Sequence, residues 1–344
     1  MASKVSWRDL QREDIEHMIM KYPDGVHGLG RLMLVMGLLV LSLGACSEQP
    51  QDPLRVGTNT WPGYEPAYLA RDLGYFEEAE VRLNEFDSAT QTLRAFRNGT
   101  IEVAALTLDE TAPLILDGID LKIFLVADIS GGGDAILARP GIQNIADLKG
   151  HKIGVESSAL GAYVVARAME IHGVPKGEVE LVYMTINESE QAFSAGSIDA
   201  LVTFEPYRSR LLRTGAVEIF SSREIPDEIV DVLVVRTEYA DANPEKLTAF
   251  AQAWLKAAKF IVEQPQKAAE IISKRHGLSP AETLKSFEGL TFPDATMNGQ
   301  MLAKDTDNGL AATARKLVSV MVEHNLLMDH VAVDEVLTDI YIRQ

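Results

Sequence analysis

Cysteine is nearly absent: Cys46 is the single one among 344 residues. One thiol forms no intramolecular disulfide and cannot supply a paired-cysteine metal cluster. Long hydrophobic runs are scarce as well. Beyond residue 45 none approaches the length of about 18 residues that a membrane-spanning helix needs. There is no short-period repeat and no low-complexity segment. The spacings GxSxG and HExxH are missing and the seven histidines are scattered, so neither a catalytic histidine nor a metal site is expected. Positive charge is also short, with 32 Lys and Arg against 50 Asp and Glu and a net charge of −18. Residues 1–46 hold five of each sign and cancel, so the whole deficit lies downstream. That excludes recognition of nucleic acid or anionic lipid by charge.

What is present begins with the run LMLVMGLLVLSLGA at 32–45, preceded by Arg31 and closed by the small residues Gly44 and Ala45. It is too short for a comfortable membrane span and has the build of a signal-peptide core. The four residues Leu43-Gly44-Ala45-Cys46 resemble the lipobox of bacterial lipoproteins. That resemblance implies cleavage before Cys46, diacylglycerol on its sulfur and acylation, for instance by palmitate, of the new amino terminus. Several acyl chains anchor stably, where one binds only marginally. Ser47 is compatible with sorting to the outer membrane; the inner membrane is the alternative. Residues 1–30 are longer and more acidic than a usual signal start, which points to Met18, Met20 or Met33 as the true first residue. Residues 1–45 are therefore set aside as a signal segment and 46–53 as a polar tether.

From residue 54 the pattern alternates. Strands are predicted over 54–60, 81–86, 101–106 and 121–128, with helices over 65–76, 88–99 and 108–118 between them. A second round gives strands over 134–141, 151–156, 179–184, 198–204 and 217–222, with helices over 158–172, 188–195 and 206–213. Residues 229–236 read as a strand returning to the first unit. Helices over 244–263, 265–276, 280–288, 309–325 and 333–341 follow, several with proline in the first turn. Short strands alternating with helices of this length predict α/β units with parallel sheets. Two such units result, lobe I at 54–130 and 227–344 and lobe II at 131–226, joined by crossings near 130 and 227.

Four stretches carry a family likeness: VGTNTWPGYEPAYLARDLGYFE (56–77), AFRNGTIEVAALTLDE (95–110), DAILARPGIQNIADLKGHKIGV (134–155) and AGSIDALVTFEP (195–206). Together they resemble the nitrate, taurine, aliphatic-sulfonate and thiamine-precursor branch of the periplasmic solute-binding proteins of ABC transporters. The resemblance covers about 54–340. It implies a two-lobe type II fold, closure on a small molecule, and delivery to a permease and ATPase complex. No cofactor is implied, and a monomer is expected.

In open α/β sheets a ligand binds beyond the carboxyl ends of the strands, so the loops that follow strands supply the candidates. Trp61, Tyr64 and Glu65 follow the first strand, two aromatics able to wall an organic ligand and one carboxylate. Thr107, Asp109 and Glu110 open the helix after the third strand, where acids also favour the helix dipole. Gly132 and Asp134 lie in the SGGGD segment, a place for close backbone approach or for hinge freedom. Ser157, Ser158 and Tyr163 open a helix whose N-terminus suits an anionic group. Glu205 lies just past the last second-lobe strand. No Lys or Arg occupies a strand end, so a bare oxyanion is disfavoured. The expected ligand has a cationic or N–H-donating end: an amine, an aminopyrimidine or an aminosulfonate. The competing readings are a ligand-sensing partner of a membrane receptor, and an enzyme resembling hydroxymethylpyrimidine synthase, whose cysteine-rich motif this chain lacks.

Overall fold

The computed structural model describes residues 53–76, 80–175, 177–303 and 309–343. The expected signal segment, Cys46 and the tether up to residue 52 lie outside the described residues.

Two sheets organise the chain. The first contains β1 (Leu54–Asn59), β2 (Val81–Phe86), β3 (Val103–Thr107), β4 (Leu121–Ser130), β10 (Val230–Arg236) and β11 (Leu290–Thr291), in the order β11-β4-β10-β3-β1-β2. The second contains β5 (Ala135–Ala138), β6 (Lys152–Glu156), β7 (Glu180–Met184), β8 (Ala200–Thr203) and β9 (Val217–Ser221), in the order β7-β6-β8-β5-β9. The helices α1 (Glu65–Asp72), α2 (Ala89–Arg97) and α3 (Leu108–Leu116) connect strands of the first sheet, and α4 (Leu160–Ile171), α5 (Ile186–Ala195) and α6 (Tyr207–Arg213) those of the second. β3 and β10 are buried along nearly their whole length, as strands covered on both faces must be. Neither sheet is purely parallel. β1 pairs parallel with β2 and β3, but β10 enters antiparallel between β3 and β4, and β5 lies antiparallel between β8 and β9. Each inserted strand arrives from the other lobe and so enters its sheet from the opposite end.

The two crossings run side by side. Ser130 at the end of β4 and Ser222 after β9 have hydroxyls 2.9 Å apart. Gly132 N–H donates to the Ser222 hydroxyl at 2.7 Å, and Ser222 N–H donates to the Asp134 carbonyl at 2.9 Å.

The C-terminal region is helical through α7 (Thr237–Ala242), α8 (Pro244–Glu263), α9 (Pro265–His276), α10 (Pro280–Ser286), α11 (Ala295–Leu302) and α12 (Leu310–Glu323). It departs from expectation at α7 and the short strand β11, neither of which was expected, and at two further places. α11 was not expected: Asp294 caps it, accepting from Met297 N–H at 2.8 Å. Its buried Asn298 then exchanges two hydrogen bonds with the Val126 backbone of β4, satisfying polar groups that would otherwise be orphaned. The helix expected over 333–341 is instead one 3-10 turn, Val333–Val336. Thr338 N–H donates to the Ile123 carbonyl at 2.9 Å, so this segment takes its backbone partner from β4 and not from itself.

Candidate functional site

Strand ends of both sheets meet at one cavity, and the first wall is aromatic. β1 ends at Asn59, and a tight turn over Pro62–Tyr64 leads into α1. Gly63 permits that turn to sit against β4: a Cβ there would lie 1.8 Å from Asp128 Oδ2 and 2.4 Å from Trp61 Nε1. With no side chain in the way, the Trp61 ring N–H donates to Asp128 Oδ2 at 3.0 Å. The Tyr64 hydroxyl donates to Asp231 Oδ1. Across the cleft, Phe204 after β8 meets the edge of Trp61, with centroids 5.3 Å apart and planes at 78°. The cavity has an empty volume of about 540 Å³ including its mouth.

The second wall is acidic. Glu110, Asp134, Glu156 and Asp231 line the cavity, and among the described residues that line it none is Lys, Arg or His. Asp109 and Asp128 stand directly behind. Asp134 and Asp231 are each 1% exposed. Both oxygens of Asp134, and one each of Asp109, Asp128 and Asp231, have no hydrogen-bond partner. Burial is the largest influence on every one of these carboxyls, since removing a charge from water disfavours it. It pushes Asp128 and Glu110 up to about 8, Asp109 to about 7 and Asp134 to about 6. Neighbouring carboxylates push Asp109, Glu110 and Asp128 in the same direction. Asp231 is held well above the carboxylate range by burial and then by Asp128. The nearby Ser130 hydroxyl and then Arg208 draw Asp134 back only in part; the Arg208 guanidinium is engaged by Glu218 at 2.8 Å and by the Gly132 carbonyl at 2.8 Å. Glu110 Oε2 accepts from Thr107 N–H at 3.1 Å, at the start of its own helix, and Glu156 Oε1 accepts from Thr90 N–H at 3.0 Å and from the Thr90 hydroxyl at 3.3 Å. That contact runs from β6 in one lobe to the first turn of α2 in the other.

Of the expected site residues, Trp61, Tyr64, Thr107, Glu110, Asp134 and Ser158 line the cavity. Asp109 is buried behind Asp134. Five others are placed elsewhere. Glu65 turns away to the C-terminus of α9, where it pairs with Arg275 and lies 2.6 Å from His276 Nε2. Gly132, at φ 126°, is a hinge element whose N–H and carbonyl are taken by Ser222 and Arg208. Ser157 points to solvent. Tyr163 donates its hydroxyl to Glu228 at 2.8 Å, at the second crossing. Glu205 folds onto its own helix start, accepting from the Ser209 N–H and hydroxyl at 3.2 and 2.9 Å. Sequence reasoning missed Asn59, Asp128, Glu156, Phe204 and Asp231. A signal for two of them existed: Asp128 and Asp231 interrupt the apolar runs LKIFLVAD and IVDVLVVR, and an acid inside a buried strand needs a reason.

The NMT1-like family model matches residues 47–274. The taurine-binding periplasmic protein of Escherichia coli strain K12 is 28% identical over 224 residues, 62% of this chain and 70% of that one. The alkanesulfonate-binding protein SsuA from Xanthomonas axonopodis pv. citri, solved with bound MOPS, superposes with a TM-score of 0.69 at 18% identity, over 83% of this chain and 97% of its own. The periplasmic nitrate-binding protein NrtA from Synechocystis PCC 6803 superposes with a TM-score of 0.66 at 12% identity, over 83% and 84%. The two-lobe α/β architecture is that of the type II periplasmic binding proteins. At these identities the solved structures speak for the fold and leave the ligand open.

Proposed function

Since the chain belongs to the NMT1-like family, we propose that it is a monomeric substrate-binding protein of an ABC importer, held on the periplasmic side of the cell envelope by lipid on Cys46. Its ligand is a small organic molecule with a cationic or N–H-donating end, of amine, aminopyrimidine or aminosulfonate type. The observation that carries the ligand class is the pair Asp134 and Asp231: buried, lining the cavity, and with three of their four oxygens unpartnered. A bare buried carboxylate costs several kcal/mol unless it is protonated or paired. A ligand cation seated between them removes that cost. Trp61 and Phe204, one from each lobe, close over its apolar body. The crossings near 130 and 227 act as the hinge of lobe I (54–130, 227–344) and lobe II (131–226). The lipobox residues Leu43–Cys46 support the anchor, and Cys46→Ala should release the protein from membranes or stall its processing.

A thermal-shift screen tests the ligand class. Amines, aminopyrimidines and aminosulfonates form one arm, nitrate and simple alkanesulfonates the other. A ligand present at 100 times its dissociation constant stabilises by about 2.7 kcal/mol. Protection by nitrate or propanesulfonate, with none from any nitrogen base, would remove the proposal.

A further inference from the structure

Among the described residues four carboxylates line the cavity, and three of them already hold a donor of the chain. Glu110 Oε2 accepts from Thr107 N–H at 3.1 Å, Glu156 Oε1 from Thr90 N–H at 3.0 Å, and Asp231 Oδ1 from the Tyr64 hydroxyl. Asp134 is different. It is 1% exposed, and neither of its side-chain oxygens has a hydrogen-bond partner. Its backbone is fixed on both sides: the N–H donates to the Ser130 hydroxyl at 3.3 Å, and the carbonyl accepts from Ser222 N–H at 2.9 Å. Two polar groups stand nearby, and neither makes a hydrogen bond to the carboxylate. The Ser130 hydroxyl lies 2.9 Å from that of Ser222. The Arg208 guanidinium is held by Glu218 and by the Gly132 carbonyl, each at 2.8 Å. A carboxylate with both oxygens open and its backbone fixed is a two-pronged acceptor. Trp61 borders it, since a Cβ on Gly133, next in the chain, would lie 2.9 Å from Trp61 Cη2.

We infer that the cationic end of the ligand is a guanidinium or amidinium group, seated by two parallel N–H bonds on the open fork of Asp134. The inference rests on the cation-binding reading above and names the kind of cation. A guanidinium presents its N–H groups in a rigid plane that matches a carboxylate two to two, where an ammonium is a compact point charge. Asp134 is buried, so whatever binds it gives up water, and a guanidinium is the more weakly hydrated of the two cations. Asp231 also lines the cavity and keeps Oδ2 unpartnered. A guanidinium engaged on Asp134 has further N–H groups left for it. The flat face of such a cation also stacks on an aromatic ring, which Trp61 supplies beside Asp134. Simple amines and aminosulfonates carry no such fork.

The test uses matched pairs that share an apolar body and differ in the cation: butylamine and butylguanidine, benzylamine and benzamidine. Titration calorimetry on the purified protein at pH 7 should show the guanidinium or amidinium member binding roughly tenfold more tightly than its amine in at least one pair. An amine as tight as its partner, or tighter, in both pairs overturns the inference and leaves the cation-binding reading standing. Binding by none of the four overturns both. Two variants then place the fork. Asp134→Asn keeps the side-chain shape and turns one prong into a donor amide, so each pair should come to about equal affinity. Asp231→Asn leaves the fork intact, so it should weaken all four ligands and keep the preference. Melting curves report whether each variant folds. A preference that survives in folded Asp134→Asn overturns the assignment, and the comparison on the natural protein decides by itself where that variant does not fold.

Discussion

Asp134 and Asp231 place three of their four carboxyl oxygens in a buried cavity without a hydrogen-bond partner, and their titration follows from that. Burial favours the protonated form, so the folded protein binds more protons than the unfolded chain between about pH 4, where free carboxyls titrate, and about pH 8. The sign is then fixed: a raised carboxyl contributes stability below the unfolded pKa, and that contribution is lost as pH rises toward the folded value. The ligand-free protein should therefore melt lower at pH 8 than at pH 5, the reverse of the usual acid-limited profile. A bound cation should cancel the difference, and amine affinity should rise over the same interval. Melting curves at several pH values, with and without amine, check both. Asp231→Asn removes one ionisable group from the cluster. It should raise the ligand-free melting temperature at pH 8 by roughly 2–4 °C, about 1 kcal/mol. It should also weaken amine binding by about 10- to 100-fold, the worth of a charge-assisted hydrogen bond.

At the scale of elements, the strand-end rule pointed to the cavity, and half of the residues it named line it. Trp61, Tyr64, Thr107, Glu110, Asp134 and Ser158 were legible because each follows a strand that the alternating pattern exposed. Glu65 and Glu205 were misplaced for one physical reason: a carboxylate beside a helix start finds donors locally, in Arg275 and His276 or in Ser209, and turns away from the cleft. Asp128 and Asp231 were invisible to a rule that looks past strand ends, since they lie within β4 and β10 and reach the site only because β10 is inserted beside β4. The antiparallel insertions themselves depend on which lobe a strand comes from, which local pattern does not encode. The turn at Pro62–Tyr64 makes a prediction of its own. Gly63→Ala drives a methyl group into Asp128 and Trp61, so it should break the 3.0 Å Trp61–Asp128 hydrogen bond. The expected cost is about 1–3 kcal/mol in a denaturant melt, with amine binding weakened in parallel. A fully retained amine affinity would separate Trp61 from the site.

For the whole molecule, the contacts that tie the lobes include one in the cleft and one at the second crossing. In the cleft, Glu156 reaches Thr90. At the second crossing, Glu228 accepts from Tyr163 and Arg167 of α4 in lobe II and from Lys316 of α12 in lobe I, at 2.7–2.9 Å. These donors outweigh the desolvation of Glu228 and hold its carboxyl down at about 2. Its stabilisation is present above the ordinary glutamate range and is lost only as pH falls toward 2. Glu228→Gln should loosen the closed arrangement, lowering the melting temperature and reducing amine affinity by roughly tenfold, with the amine response otherwise intact. Small-angle scattering should find the variant more expanded than the natural protein without ligand. The central claim is that a buried acidic cleft, joined to an aromatic wall, exchanges its protons for an organic cation. Calorimetric titration of the purified protein with amines at pH 7, repeated in buffers of different ionisation enthalpy, tests it most directly. The account predicts saturable binding whose apparent enthalpy changes with the buffer, because protons leave as the cation enters. Tight binding of nitrate or propanesulfonate, with amines silent and no buffer dependence, would contradict it.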